Sequence, residues 1–306
     1  MRAALLLLAA PAARAFASMP GEVEPYPNSA DAPYANAFGR KTVASGLAST
    51  ATGDFTEATG DASFAGGRSS TATGDAAFAM GGNCKAYAQD SVALGENCQA
   101  LMPSDVAAGM GAIASGGASI ALGLFPRSSG FSSVALGTKA EAVGPSSTAF
   151  GNYAVADGEY SIAGGNEAKS PGKNSVALGQ KAEAVGSNAV AAGFSAKAEG
   201  DDSFAVGSGC EASGDSCIAM GLLSRATESG AVAIGVQCEA SEQAAFAAGY
   251  QAEASGPMSA SIGFMTIASG MASTAHGDVS TASGPAATAF GSYTLATGDI
   301  TVQLPS

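Results

Sequence analysis

The chain has 306 residues, 42 of them glycine, no tryptophan, 13 basic against 26 acidic side chains, and a formal net charge of −13. Collagen would need glycine at about one position in three with high proline, a disordered tail would lack the 46% hydrophobic content, and no run reaches the ~18 apolar residues of a spanning helix. No basic run occurs along the sequence, so a nucleic-acid partner is not expected, and a single histidine, His276, leaves little for hydrolytic or metal chemistry.

At the N-terminus, residues 1–17 carry Arg2, an apolar stretch from Ala3 to Ala10 and small residues at Ala15 and Ala17. This is the layout of a secretory signal peptide, with cleavage expected after about Ala17 and export to the outside. The acids that follow, Glu22, Glu24 and Asp31, are unlike an organellar transit peptide. Residues 18–32, with Pro20, Pro25 and Pro27, read as a flexible lead-in to one repeat domain over 33–306.

From Gly39 to Gly298 every seventh residue follows one rule: 34 of 38 are glycine, the exceptions being Ala88, Met102, Glu228 and Glu242. Two residues earlier stands alanine, replaced by serine only at 128, 170 and 261. A seven-residue period suggests a coiled coil, but a mid-helix glycine costs about 1 kcal/mol relative to alanine, and the large apolar seam of a zipper is missing. With glycine numbered seven, positions three and five are small and positions four and six larger. That two-residue alternation predicts a strand with unlike faces, and glycine with the turn formers after it predicts a corner.

The small residues must face a narrow interior, leaving positions four and six outside. Alternate heptads differ there. One kind carries Phe64, Phe78, Val92, Ile120, Val134, Ile162, Val176, Phe204, Ile218, Val232 and Phe246 at position four, with Leu94, Leu122, Leu136, Leu178, Val206, Ile234 and Ile262 at position six. The other carries Glu141, Lys169, Glu183, Lys197, Glu211, Arg225, Glu239 and Glu253 at position four. The expected fold is therefore all-β, a parallel β-roll of about 19 coils of 14 residues, two short strands per coil, forming a rod on the order of 90 Å long. Its apolar face, roughly 2,000 Å², far exceeds the few hundred Å² usual for a monomer, which predicts that identical chains pack side by side.

The units Asn174-Ser175-Val176-Ala177-Leu178-Gly179 and Gln180-Lys181-Ala182-Glu183-Ala184-Val185-Gly186, with similar ones at Asp90 to Gly95, Ser132 to Gly144 and Asp202 to Gly207, resemble the head repeat of YadA-like trimeric autotransporter adhesins. The resemblance covers about residues 33–305. It implies a left-handed coil, a homotrimer with the Val/Leu face toward its axis, and cell adhesion. Members of that family follow the head with a stalk and a membrane β-barrel; the expectation here is a head-like part alone, closed by a final heptad, Asp299 to Pro305, that reads as a cap.

The remaining candidates have bland readings. Cys84, Cys98, Cys210, Cys217 and Cys238 all fall at position three, so buried thiols are expected, with a Cys84–Cys98 disulfide between adjacent coils as the one specific pairing. His276 reads as a polar residue on the apolar face, and three copies converging on a metal would need evidence of their own. The Gly-Asp corners, such as Asp61, Asp75, Asp201 and Asp215, lack the nonapeptide spacing of calcium rolls and read as turn formers. The Thr50/Thr52 and Thr71/Thr73 pairs lie one and a half coils apart, too far out of register for the flat threonine plane of an ice-binding solenoid. No catalytic constellation, cofactor or metal is expected. The sequence thus describes a secreted adhesin-head-like protein that self-associates through its apolar face and offers its charged face to an extracellular surface, matrix or glycan; the alternatives are a structural rod of an extracellular coat and, as a minor one, an ice-binding solenoid.

Overall fold

A computed structural model describes residues 28–304 together with the backbone of residues 14–15. The expected signal segment and lead-in otherwise lie outside the described residues, as does Pro305 of the expected cap. The chain divides into two compact units, 1–143 and 144–306, and each is a parallel β-solenoid with two strands per 14-residue coil. Among the described residues there is no helix, and so none long and apolar enough to cross a membrane. The ladder already includes Ser29–Ala30, paired with Val43 and Ala44, within the stretch expected to be a lead-in.

The two strands of a coil are unequal. In the first unit one sheet is built of five-residue strands such as Phe78–Gly82, Val92–Glu96 and Val106–Met110, and the other of two-residue strands such as Lys85–Ala86 and Gln99–Ala100. The second unit repeats this with Phe204–Ser208, Ile218–Leu222 and Val232–Val236 against Glu211–Ala212 and Arg225–Ala226. Each residue pairs with its counterpart 14 residues on, for example Val92 with Val106 and Gly95 with Gly109. Side chains of one kind therefore stack in ladders, and in-register stacking of parallel strands lets the backbone hydrogen bonds run uninterrupted along each unit.

The interior is alanine. Ala93, Ala107 and Ala121 in the first unit and Ala205, Ala219 and Ala233 in the second are fully buried, with serine, threonine and cysteine filling the remaining inward slots. Two inward slots depart from the expected small residues. Pro126 occupies one, and Asp105 the other, both fully enclosed. The Asp105 carboxylate accepts the Met102 N–H at 2.9 Å, the Gly117 and Ser119 N–H groups at 3.0 and 2.9 Å, and the Ser119 hydroxyl at 2.8 Å. Four donors replace water around the buried charge, which is the condition for burying it at all.

The ruler glycines serve two purposes, where the sequence suggested one. In the apolar heptads other than those of residues 148–193, glycine is not a corner but the fourth residue of the long strand: Gly95 stands at φ +119, and a Cβ there would run into the Gly109 carbonyl oxygen. In the polar heptads the dihedral is ordinary, and only the close approach of the next coil excludes a side chain, as at Gly60 against Gly74. All four exceptions, Ala88, Met102, Glu228 and Glu242, fall in this second series, outside the positive-φ positions. The corner itself is made two residues after the ruler position, where non-glycine residues such as Lys41, Asn97, Ser132, Leu223 and Val279 stand at φ between about +51 and +55. Each such corner costs roughly 1–2 kcal/mol of backbone strain, recovered through stacking. Corner amides hydrogen-bond from coil to coil, Asn83 to Asn97 at 2.8 Å and Asn174 to Asn188 at 3.1 Å.

The Gly-Asp corners act as stacking clips. The Asp61 carboxylate accepts the Leu47 N–H at 2.8 Å, and Asp201 accepts that of Ser187 at 2.8 Å. Asp75 and Asp215 repeat the contact on the backbone of Asp61 and Asp201.

Candidate functional site

The long-strand sheet carries the apolar ladder. In the first unit Phe64, Phe78, Val92, Val106, Ile120 and Val134 follow one another in register, with the Phe64 and Phe78 rings stacked at 4.8 Å. In the second unit Ile162, Val176, Val190, Phe204, Ile218, Val232 and Phe246 do the same. Position four is mostly half-buried by its own ladder, whereas position six stands further out: Met80 is 52% exposed and Leu178 39%. Every residue expected on this face lies in it.

The face is also wider than expected. Because the long strand continues through its glycine, the next residue joins the sheet: Met110 pairs with Leu124 in the first unit, and Leu222, Val236, Tyr250 and Phe264 run in register in the second. Tyr250 and Phe264 stack at 5.1 Å. These were invisible in the sequence because a turn was assigned at each glycine. His276, on the same sheet, stacks at 4.7 Å on Phe290, which accounts for the one imidazole by packing. Toward the N-terminal end the ladder turns polar, and Arg40 holds Asp54 through two hydrogen bonds of 2.7 Å. That guanidinium keeps the Asp54 carboxyl below the usual carboxylate range.

The short-strand sheet of the second unit carries the expected charges in a ladder of alternating sign: Lys169, Glu183, Lys197, Glu211, Arg225 and Glu239 are successive partners, and only Glu253 follows a like charge. Glu141 continues the same pattern in the first unit beside Arg127. Arg225 reaches Glu211 at 3.2 Å. Lys197 lies 3.9 Å from Glu199 beside it. Two of the ladder's cations, Arg225 and Lys197, are thus compensated within the chain.

One stretch of this sheet forms a concavity. Tyr153, Val155, Glu167, Lys169, Lys181, Ala182, Glu183, Ser195 and Lys197 line a groove of about 720 Å³. It coincides with a change in the coil: the long strands Thr148–Phe150, Ile162–Gly164, Val176–Leu178 and Val190–Ala192 stop at three residues, and a turn replaces the last two. The adjacent short strands Lys169–Ser170 and Glu183–Ala184 pair through only one residue. Shortened pairing on both sheets reshapes the corner that carries Tyr153, Glu167, Lys181 and Ser195, and these corner residues supply one wall. The sequence reading named Lys169, Glu183 and Lys197 but missed that wall, since it treated position two as turn alone.

All five cysteines are buried free thiols. Cys84 and Cys98 occupy equivalent slots in successive coils and hydrogen-bond to the carbonyls of Gly95 and Gly109 at 3.1 and 3.2 Å. Burial pushes the Cys217 thiol up to about 11. Among the described residues no group of three or more His, Cys, Asp or Glu side chains is placed to hold a metal.

A parallel β-solenoid with one apolar sheet and one charged sheet, built on glycine-ruled coils, defines a repeat-type solenoid module. The model of one family, the YadA head domain repeat, matches residues 72–97, 128–154, 142–168, 156–182, 170–194, 184–209, 212–237 and 275–299, just over half of the chain in all. The chain belongs to that family, whose members are adhesins and not enzymes. The overlapping matches between 128 and 209 advance by one coil at a time, as the structural register does. No curated protein matches the chain.

Proposed function

We propose that this protein is an exported adhesin-type binding module that assembles as a homotrimer through its long-strand face and turns its charged short-strand face toward an extracellular partner. The observation that carries this reading is the division of labour between the sheets. One bears an apolar ladder that in the second unit runs without a break at position four from Ile162 to Phe246, with Leu178 and Ile234 exposed beside it, of a kind that soluble monomers rarely leave uncovered. The other bears paired charges and a groove, which suit a surface held in water. Residues 1–17 serve export, and the mature chain begins near Ser18. A closed rotational assembly covers three copies of the same apolar face at once without exposing a further complementary face.

Light scattering during size exclusion of residues 18–306 tests the assembly. About three chain masses are expected; a stable monomer at micromolar concentration overturns the trimer.

A further inference from the structure

We propose that the groove at Tyr153–Lys197 binds an unsulfated acidic polysaccharide, one in which a carboxylate-bearing sugar alternates with a neutral sugar. This rests on the adhesin reading and names the ligand class of the charged face. Three lysines, Lys169, Lys181 and Lys197, and two glutamates, Glu167 and Glu183, line a cavity beside the Tyr153 ring and Val155. The groove is thus locally cationic on a chain whose net charge is −13, although no run of basic residues marks it in the sequence. Folding assembles it by bringing together residues spaced by coils.

Lys169 and Lys181 make no ion pair among the described residues, whereas Lys197 leans toward Glu199 and Lys173, outside the groove, is held by Glu159 at 2.9 Å. Two ammonium groups are therefore open to an anion. In the ladder Lys169 and Lys197 flank Glu183, so their attachment points lie two strand spacings apart, about 10 Å. A ligand engaging Lys169 and drawing Lys197 away from Glu199, which it meets only at 3.9 Å, presents anionic groups at intervals and not as one dense cluster. The two glutamates disfavour a heavily sulfated chain by like-charge repulsion, and their oxygens accept hydrogen bonds from sugar hydroxyls. Tyr153 offers a flat amphipathic ring for the apolar face of a sugar. A groove open to solvent, with both an aromatic and paired polar groups, fits a chain passing through it.

The test is titration calorimetry of the full mature chain with hyaluronan oligosaccharides at low salt, with a chitin-derived neutral oligosaccharide and heparin as comparison ligands. Hyaluronan binding is expected, weakening as salt rises, reduced at least tenfold by the double substitution Lys169→Gln/Lys181→Gln and also weakened by Tyr153→Ala. Lys85→Gln, on the same sheet of the other unit, is expected to change nothing. All four side chains are at the surface, and unchanged circular dichroism and mass certify folding. No hyaluronan binding, equal binding of the neutral oligosaccharide, tighter binding of heparin, or full affinity in the double variant overturns the assignment. Attachment of wild type and double variant to extracellular-matrix-coated surfaces separates the two levels. Wild-type attachment with no hyaluronan affinity refutes the groove and leaves the adhesin reading; no attachment to any surface refutes the adhesin reading itself.

Discussion

Asp105 shows how one residue is accommodated where its neighbours in the ladder hold serine. Ser91 and Ser119 fill the same slot one coil before and after. The carboxylate takes up the N–H of Met102, one of the four ruler positions that is not glycine, so the local departure and the buried charge form one device. Replacing Asp105 by alanine strands the Met102, Gly117 and Ser119 donors, each unsatisfied group costing about 1–3 kcal/mol. Asp105→Ala should therefore lower the urea midpoint clearly, and Asp105→Ser should recover part of the loss. Cys217 gives a pH signature of opposite character. Its folded thiol is raised to about 11 by burial, against 9.0 for the free group. Between these values the unfolded chain gives up a proton that the folded chain keeps, so stability falls as pH rises above about 9. Urea midpoints measured at pH 8 and pH 10.5 should differ less in Cys217→Ala than in wild type.

At the scale of the strand and its corner, the two glycine series separate. Gly95 needs both a left-handed-side dihedral and an absent Cβ, while Gly60 needs only the space. Gly60→Ala imitates what the chain already does at Ala88 and should cost about 1 kcal/mol, the scale of a local backbone adjustment. Gly95→Ala meets the next coil's backbone as Gly60→Ala does and adds dihedral strain in the middle of a strand, so its expected cost is larger. Thermal unfolding of the two variants side by side tests this, and equal losses would contradict the two-series account. The same logic places glycine, asparagine and serine at the left-handed corners without requiring them: Gly111 and Gly209 share that position with Phe125 and Leu223, because each corner is held from the coil before, as by the Leu223 N–H on the Ser208 carbonyl at 2.8 Å.

For the whole molecule, an alanine interior has a consequence. Each buried alanine removes about one methyl group from water, worth on the order of 1 kcal/mol, so coils have little side-chain core and depend on continuous backbone ladders. In the proposed trimer, covering the apolar sheet adds what the interior does not supply. Introducing a charge at Val176 on that sheet should dissociate the assembly while the coil persists, because the side chain points away from the interior. Val176→Glu is expected to elute at a lower mass in size exclusion with an unchanged β-type circular dichroism spectrum; retention of the wild-type mass would place the subunit contact elsewhere.

The division between sequence and tertiary structure follows from what repeats. Period and composition determined the solenoid, the 14-residue coil, the inward alanines and the assignment of Val176 and Glu183 to opposite sheets, because side chains alternate strictly across a strand and every coil repeats the same geometry. The unequal strands, the second role of glycine, the buried carboxylate of Asp105 and the widening of the apolar face by Tyr250 and Phe264 were decided only by the fold. Each depends on how one coil sits on the next, a contact between residues 14 apart that no local pattern expresses. The groove is the clearest case: Tyr153, Lys169, Lys181 and Lys197 are scattered turn and strand residues along the chain, and only stacking, with the local shortening of the long strands, turns them into a single lined cavity.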